Sequence, residues 1–163
     1  MDNSKKKFIE SMEYLAKYYI NFKADFNDPV VQRIWFDSLK QINPNDIEFV
    51  VVDYCRKNVY PPQSPTHLLE HYNKLLELKV IDIVTEASFL INKKMKLVEV
   101  DIPFLGIEKK YITDYEAAIE AATGTTKDVL TVVKNGLIKL DKNDVYRYLS
   151  RISSQKILLK ESL

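Results

Sequence analysis

A single cysteine, Cys55, leaves no intramolecular disulfide and no multi-thiolate zinc site open to this chain of 163 residues. Only three glycines occur. Mononucleotide and dinucleotide folds spend more than that on their phosphate loops, and a β-sandwich asks for more turn glycines. Charge of one sign is also lacking: 24 Lys and Arg face 23 Asp and Glu, a net charge of +1. That excludes a protein held on nucleic acid by bulk charge, and equally an acidic mimic of DNA. The opening Met-Asp-Asn-Ser-Lys-Lys-Lys has no apolar signal stretch, and no run of about eighteen apolar residues follows. These absences lead us to expect a soluble cytoplasmic protein without a membrane partner.

What is present points to helices. Hydrophobic residues make up 46% and charged residues 29%, the balance of a globular chain. Phe8, Met12, Leu15, Tyr19 and Phe22 recur at helical spacing and predict a first helix over residues 4–23. Three further helices are expected to open by the same device, a capping side chain followed by proline at the first helical position: Asp28-Pro29, Asn43-Pro44 and Ser64-Pro65. The third should end near Asn58, and Tyr60-Pro61-Pro62-Gln63 should be extended. The fourth carries Leu68, Tyr72, Leu75, Leu76 and Ile83, and a separate helical stretch follows over 84–97.

The second half is patterned differently. Val98, Val100 and Ile102 alternate with Glu99 and Asp101, and Pro103 and Gly106 bracket a turn, which admits a short β-hairpin near 97–112. Thr113 with Glu116 matches a capping box. Short helices are then expected to about Ala122, over 126–135, and from Asp141 or Asn143 to about Leu159. The expected fold class is therefore all-α: a small helical bundle over residues 1–83, then a mostly helical region over 84–163 with that hairpin as an option.

Several patterns carry chemistry. His67-Leu68-Leu69-Glu70-His71 spells the inverted zincin signature, with two histidines one helical turn apart and a glutamate beside them as general base. That family takes its third ligand from a glutamate some seventy to eighty residues downstream, and residues 143–152 contain none. The two leucines between the histidines are needed for the core. Cys55 has no base placed beside it by spacing, so it reads as a small buried hydrophobe. No Walker A, G-x-G-x-x-G or G-x-S-x-G occurs. We expect no enzyme, no catalytic residue, no metal and no cofactor.

Residues 113–140 have the outline of a helix-turn-helix, with Thr125, Thr126, Lys127, Thr131, Lys134 and Asn135 on the helix that would face the major groove. DNA binding through Thr126, Lys127, Thr131 and Lys134 is the alternative reading. The last helix is net positive, and Tyr146, Arg147, Arg151, Leu158 and Leu159 are the side chains it would offer to a protein partner.

The stretch from Tyr18 to Leu76 is distinctive as a whole. Trp35 and Leu39 sit one turn apart on the second helix, and Tyr54, Asn58, Tyr60, Pro61 and Pro62 end the third. Over roughly residues 8–80 this resembles the phage replicative-helicase loader/inhibitor family, whose folded part is a small helical bundle with these two features. The resemblance implies a non-catalytic DNA-replication protein encoded by a phage or mobile element and working in the host cytoplasm. It would bind a replicative hexameric helicase or that helicase's loader, to load or inhibit it, and be released through an origin-bound initiator. Direct contact with DNA stays an open alternative.

Overall fold

Several helices start where a carboxylate accepts from one of their free N–H groups. Asp2 accepts from Ser4 N–H and opens α1, Asn3–Tyr18. Asp28 accepts from Val30 N–H at 2.8 Å, and Pro29 begins α2, Pro29–Leu39. The computed structural model describes residues 2–152 and Leu159. Among them it has α3 (Ile47–Lys57), α4 (Pro65–Lys93), β1 (Met95–Ile102), β2 (Gly106–Thr113), α5 (Tyr115–Ala121), α6 (Gly124–Lys134) and α7 (Lys142–Ile152). The fold is helix-dominated, with one two-stranded antiparallel hairpin.

Several boundaries differ from the expected ones, and four of them have an identifiable cause. The first helix stops at Tyr18 because Tyr19 turns inward in an extended conformation and its hydroxyl donates to the Asn58 carbonyl at 2.7 Å. Pro44 does not begin the third helix. Asn43 is buried and closes a tight turn instead, its side chain accepting from Asn45 N–H and its carbonyl from Asp46 N–H, so the helix starts at Ile47. The two helical stretches expected on either side of residue 83 are one helix, since neither glycine nor proline occurs between Thr66 and Ile102. Asp114, rather than Thr113, caps α5, accepting from Ala117 N–H.

Two compact units divide the chain: Met1–Lys79 with Ser150–Leu163, and Val80–Leu149. The first has α1 packed on α3 and α2. Its buried residues include Phe8, Met12, Leu15, Trp35, Leu39, Val50, Val51, Tyr54, Leu68, Tyr72 and Leu76. The second buries Ala87, Leu90, Ala118, Ala122 and Leu130, with Ile91, Ile119 and Leu140 against them, and α5 packs on α6. Gly136, at φ +72°, closes α6: its N–H reaches the Val133 carbonyl and Leu137 N–H the Val132 carbonyl, the double bond of a left-handed helix terminus. Asp141 then accepts from Asp144 N–H and opens α7.

The hairpin is longer than the alternation at 98–102 alone shows. Met95 pairs with Thr113 at its base and Ile102 with Gly106 at its end. Leu97 lies across from Tyr111 and Glu99 from Lys109, an apolar and an opposite-charge pair of the kind that fix register. Pro103, Phe104 and Leu105 make the turn, with Leu105 N–H on the Ile102 carbonyl at 3.0 Å.

Candidate interaction surfaces

The residues that carry the resemblance come together in the first unit. Trp35 is buried, with Phe22 and Phe26 edge-on to its ring at centroid distances of 5.7 and 5.3 Å. The segment after α3 is pinned to this cluster's unit by two bonds at one residue: Asn58 Nδ2 donates to the Tyr54 carbonyl, and the Asn58 carbonyl accepts from Tyr19. Burial pushes the Tyr19 phenol well above its ordinary range, helped by Cys55, Tyr54 and Tyr18 nearby, so the hydroxyl stays a donor. The chain then bends at Val59 and Tyr60, and Tyr60, Pro61 and Pro62 wall one side of a surface groove of ≈ 540 Å³. Phe22, Trp35, Tyr60, Pro61, Pro62 and Lys23 are among its lining residues. Tyr60 is 79% exposed at its rim. Concave, lined by aromatic and proline rings together with Asn21, Gln63 and Lys23, this groove has the makings of a peptide or loop acceptor.

The predicted partner residues of the last helix divide three ways. Arg147 and Arg151 are exposed, one turn apart on α7, and Tyr146 is half-buried beside them. Leu158 lies outside the described residues. Leu159 is corrected: it is 3% exposed and not helical, and its N–H donates to the Asp46 carboxylate at 3.2 Å. A side chain in the first unit's core offers nothing to a partner.

The DNA-reading face is corrected at two positions, Thr125 and Thr126. Thr126 is 4% exposed and its hydroxyl donates to the Glu86 carboxylate at 2.6 Å, so it does not stand on an open helix face. Thr125 is also buried. Lys127, Thr131 and Lys134 are exposed at i, i+4 and i+7 of α6, with Thr131 hydroxyl bonded to the Lys127 carbonyl and Lys134 paired to Glu116 at 3.3 Å.

The histidines of the zincin-like string have other occupations. His67 Nδ1 accepts from Gln63 N–H, and His71 Nε2 lies 2.8 Å from Asp53 Oδ2, which Lys57 Nζ also meets at 2.8 Å. Among the described residues, no group of three or more His, Cys, Asp or Glu side chains is placed to hold a metal ion. Burial pushes the Asp53 carboxyl up, but the hydrogen bonds and charges of Lys57 and His71 outweigh it and hold the group below its ordinary value. A depressed carboxyl contributes stability above its unfolded-state pKa, near 4, and loses it as pH falls through the folded value. Asp53→Asn is therefore expected to cost about 1–2 kcal/mol at pH 7, with the gap to wild type closing as urea melts are repeated from pH 5 downward. A gap that stays constant to pH 2.5 removes the ionised carboxylate from the account.

Cys55 is buried, and burial pushes its thiol up to about 11, so the thiolate that nucleophilic chemistry needs is scarce near neutral pH. Two features went unmarked in the sequence. The groove is one, because its walls come from three separate stretches. The other is the exposed apolar pair at the tip of the expected turn, Phe104 and Leu105, which are 107% and 82% exposed; two large apolar residues between Pro103 and Gly106 were its visible signal. No helix among the described residues is long and apolar enough to cross a membrane. No protein-family model, no curated protein and no solved structure matches this chain.

Proposed function

We propose that the chain is a non-catalytic DNA-replication protein of a phage or mobile element that binds a replicative hexameric helicase, or that helicase's loader, and thereby loads or inhibits it. One observation carries the reading. Of the seven residues that bear the resemblance to the helicase loader/inhibitor family, Trp35, Tyr60, Pro61 and Pro62 line one groove, while Leu39 and Tyr54 are buried in the core and Asn58 ties the end of α3 to Tyr19. A loader or inhibitor acts by occupying a surface, and such a groove, together with the exposed Arg147 and Arg151 of α7, gives it surfaces to occupy with.

The test is binding of the full chain to purified helicase hexamer and to purified loader by interferometry at moderate salt. Wild type is expected to bind one of them, and Arg147→Ala/Arg151→Ala to weaken binding about tenfold or more. No binding to either protein removes the proposal; an unchanged double variant removes α7 from the contact.

The second reading, a DNA-binding replication or regulatory protein, draws support from the exposed stripe of Lys127, Thr131 and Lys134. It requires duplex affinity that falls steeply with salt and is lost when Lys127 and Lys134 are replaced.

A further inference from the structure

The hairpin is long and regularly paired, yet it leans on little. No residue of β1 or β2 is buried, and only Val98, Ile102 and Thr113 are half-buried. Leu97, Val100, Ile107, Tyr111 and Ile112 stand exposed. A two-stranded ribbon is marginal in water by itself and gains stability from a further strand or a covering layer. Among the described residues the sheet stops at two strands.

The outer edge of β2 has a defined pattern. Asp114 N–H donates to the Lys94 carbonyl at 2.7 Å, one step beyond the Met95–Thr113 pair. Antiparallel ladders alternate hydrogen-bonded and non-hydrogen-bonded pairs. The even-numbered residues of β2 therefore bond to β1, and Ile107, Lys109 and Tyr111 turn their N–H and C=O groups outward. Side-chain charge says what can pair there. Lys96, Lys109 and Lys110 balance Glu99, Asp101 and Glu108, so the ribbon as a whole favours neither an anionic nor a cationic surface.

The order of those charges along β2 is self-complementary. Laid antiparallel to itself about Lys109, β2 sets Ile107 across from Tyr111 and Glu108 across from Lys110, and two-fold symmetry makes each pair twice. Lys109 meets its own copy on the axis, where the cost of like charge is offset by Glu99 directly across from each. Centring on Glu108 instead sets Lys110 across from Gly106, and centring on Lys110 sets Glu108 across from Ile112, so neither neighbouring register pairs opposite charges. The β1 edge has no such register, because Lys96 lies on the opposite face from Glu99 and Asp101.

We propose that two copies of this chain associate through their β2 edges, antiparallel about Lys109, to form one four-stranded sheet. This contact is separate from the proposed one with a helicase or loader and does not depend on it.

The experiment is sedimentation velocity on the full chain over about 1–200 µM, the span in which an interface of modest size assembles. Wild type is expected to move from the mass of one chain to that of two. Lys109→Pro deletes an outward N–H and no bond to β1, so it should keep the hairpin and leave the chain monomeric. Glu108→Lys and Lys110→Glu, each alone, set like charges across both cross-copy pairs and should weaken the dimer about tenfold or more. Combined, they restore opposite charges and should bring it back to within a few-fold of wild type. All these variants lie on an exposed edge, so melting followed by circular dichroism should stay within a few degrees of wild type, which separates pairing from folding. A wild type that is monomeric throughout overturns the dimer, and so does a dimer that Lys109→Pro leaves intact. A combined reversal that fails to rescue overturns the register about Lys109. A mass that grows past two chains with concentration overturns the closed pair in favour of open edge-to-edge assembly. Each of these results leaves the proposed helicase or loader contact standing.

Discussion

Replacing Trp35 with alanine is expected to lower the stability of the first unit by about 3–5 kcal/mol. Trp35 is 6% exposed and is the chain's one tryptophan. It receives the edges of Phe22 and Phe26, two residues of the connection between α1 and α2, so it holds that connection against the bundle. Truncation removes the largest side chain of the unit, leaves a void too large for its neighbours to fill, and frees both phenylalanines from their edge contacts. The melting temperature followed by circular dichroism should fall by more than about 10 °C. Trp35→Phe keeps an aromatic face for both partners and is expected to cost about half as much or less. If alanine costs under about 1 kcal/mol, Trp35 belongs to the groove wall and not to the frame that builds it.

That dual position, half frame and half wall, explains why the groove was not legible in the sequence while its parts were. Periodicity marks Trp35 and Leu39 as inward, and both are buried. Asp28-Pro29 and Pro65 announce helix starts, and α2 and α4 begin at those prolines. Such signals are local: a cap and a proline act on their own turn. They fail where a longer-range contact competes. Asn43-Pro44 has the same letters, but its side chain is spent on a buried turn, and Asp46 takes the cap position one residue before α3. Tyr19 continues the helical stripe in sequence yet leaves the helix, because a carbonyl thirty-nine residues away accepts its hydroxyl.

Polarity misleads in the same way at the candidate sites. Thr126 looks like a groove-reading residue because threonine is usually solvated, and nothing in residues 113–140 shows that Glu86, forty positions earlier, supplies an acceptor. The hairpin is the opposite case. Its first strand follows from β-branched alternation, and its turn from Pro103 and Gly106, so the element was legible as an option. Whether Phe104 and Leu105 fold back or stand out depends on what packs near them, which alternation does not encode.

Leu159 gives the sharpest separation between a binding residue and a folding one. The sequence reads it as one of the side chains a long last helix would offer to a partner; in the structure its side chain is buried in the first unit and its N–H is held by Asp46, a carboxylate with no exposed surface. Leu159→Ala is therefore expected to destabilise the first unit by about 2–5 kcal/mol, whereas Arg147→Ala and Arg151→Ala, both exposed, should each stay within about 0.5 kcal/mol of wild type. Asp46→Ala should act in the same direction as Leu159→Ala, because it removes the acceptor that fixes the residue's main chain. The two losses should add to less than their sum, since each variant already loosens the contact the other depends on. Urea unfolding of the four single variants and the Asp46/Leu159 double variant decides it. A Leu159→Ala protein as stable as wild type, with weakened helicase or loader binding, would return Leu159 to the partner surface; a destabilised protein that binds normally at low temperature assigns it to the core and leaves Arg147 and Arg151 to carry that contact.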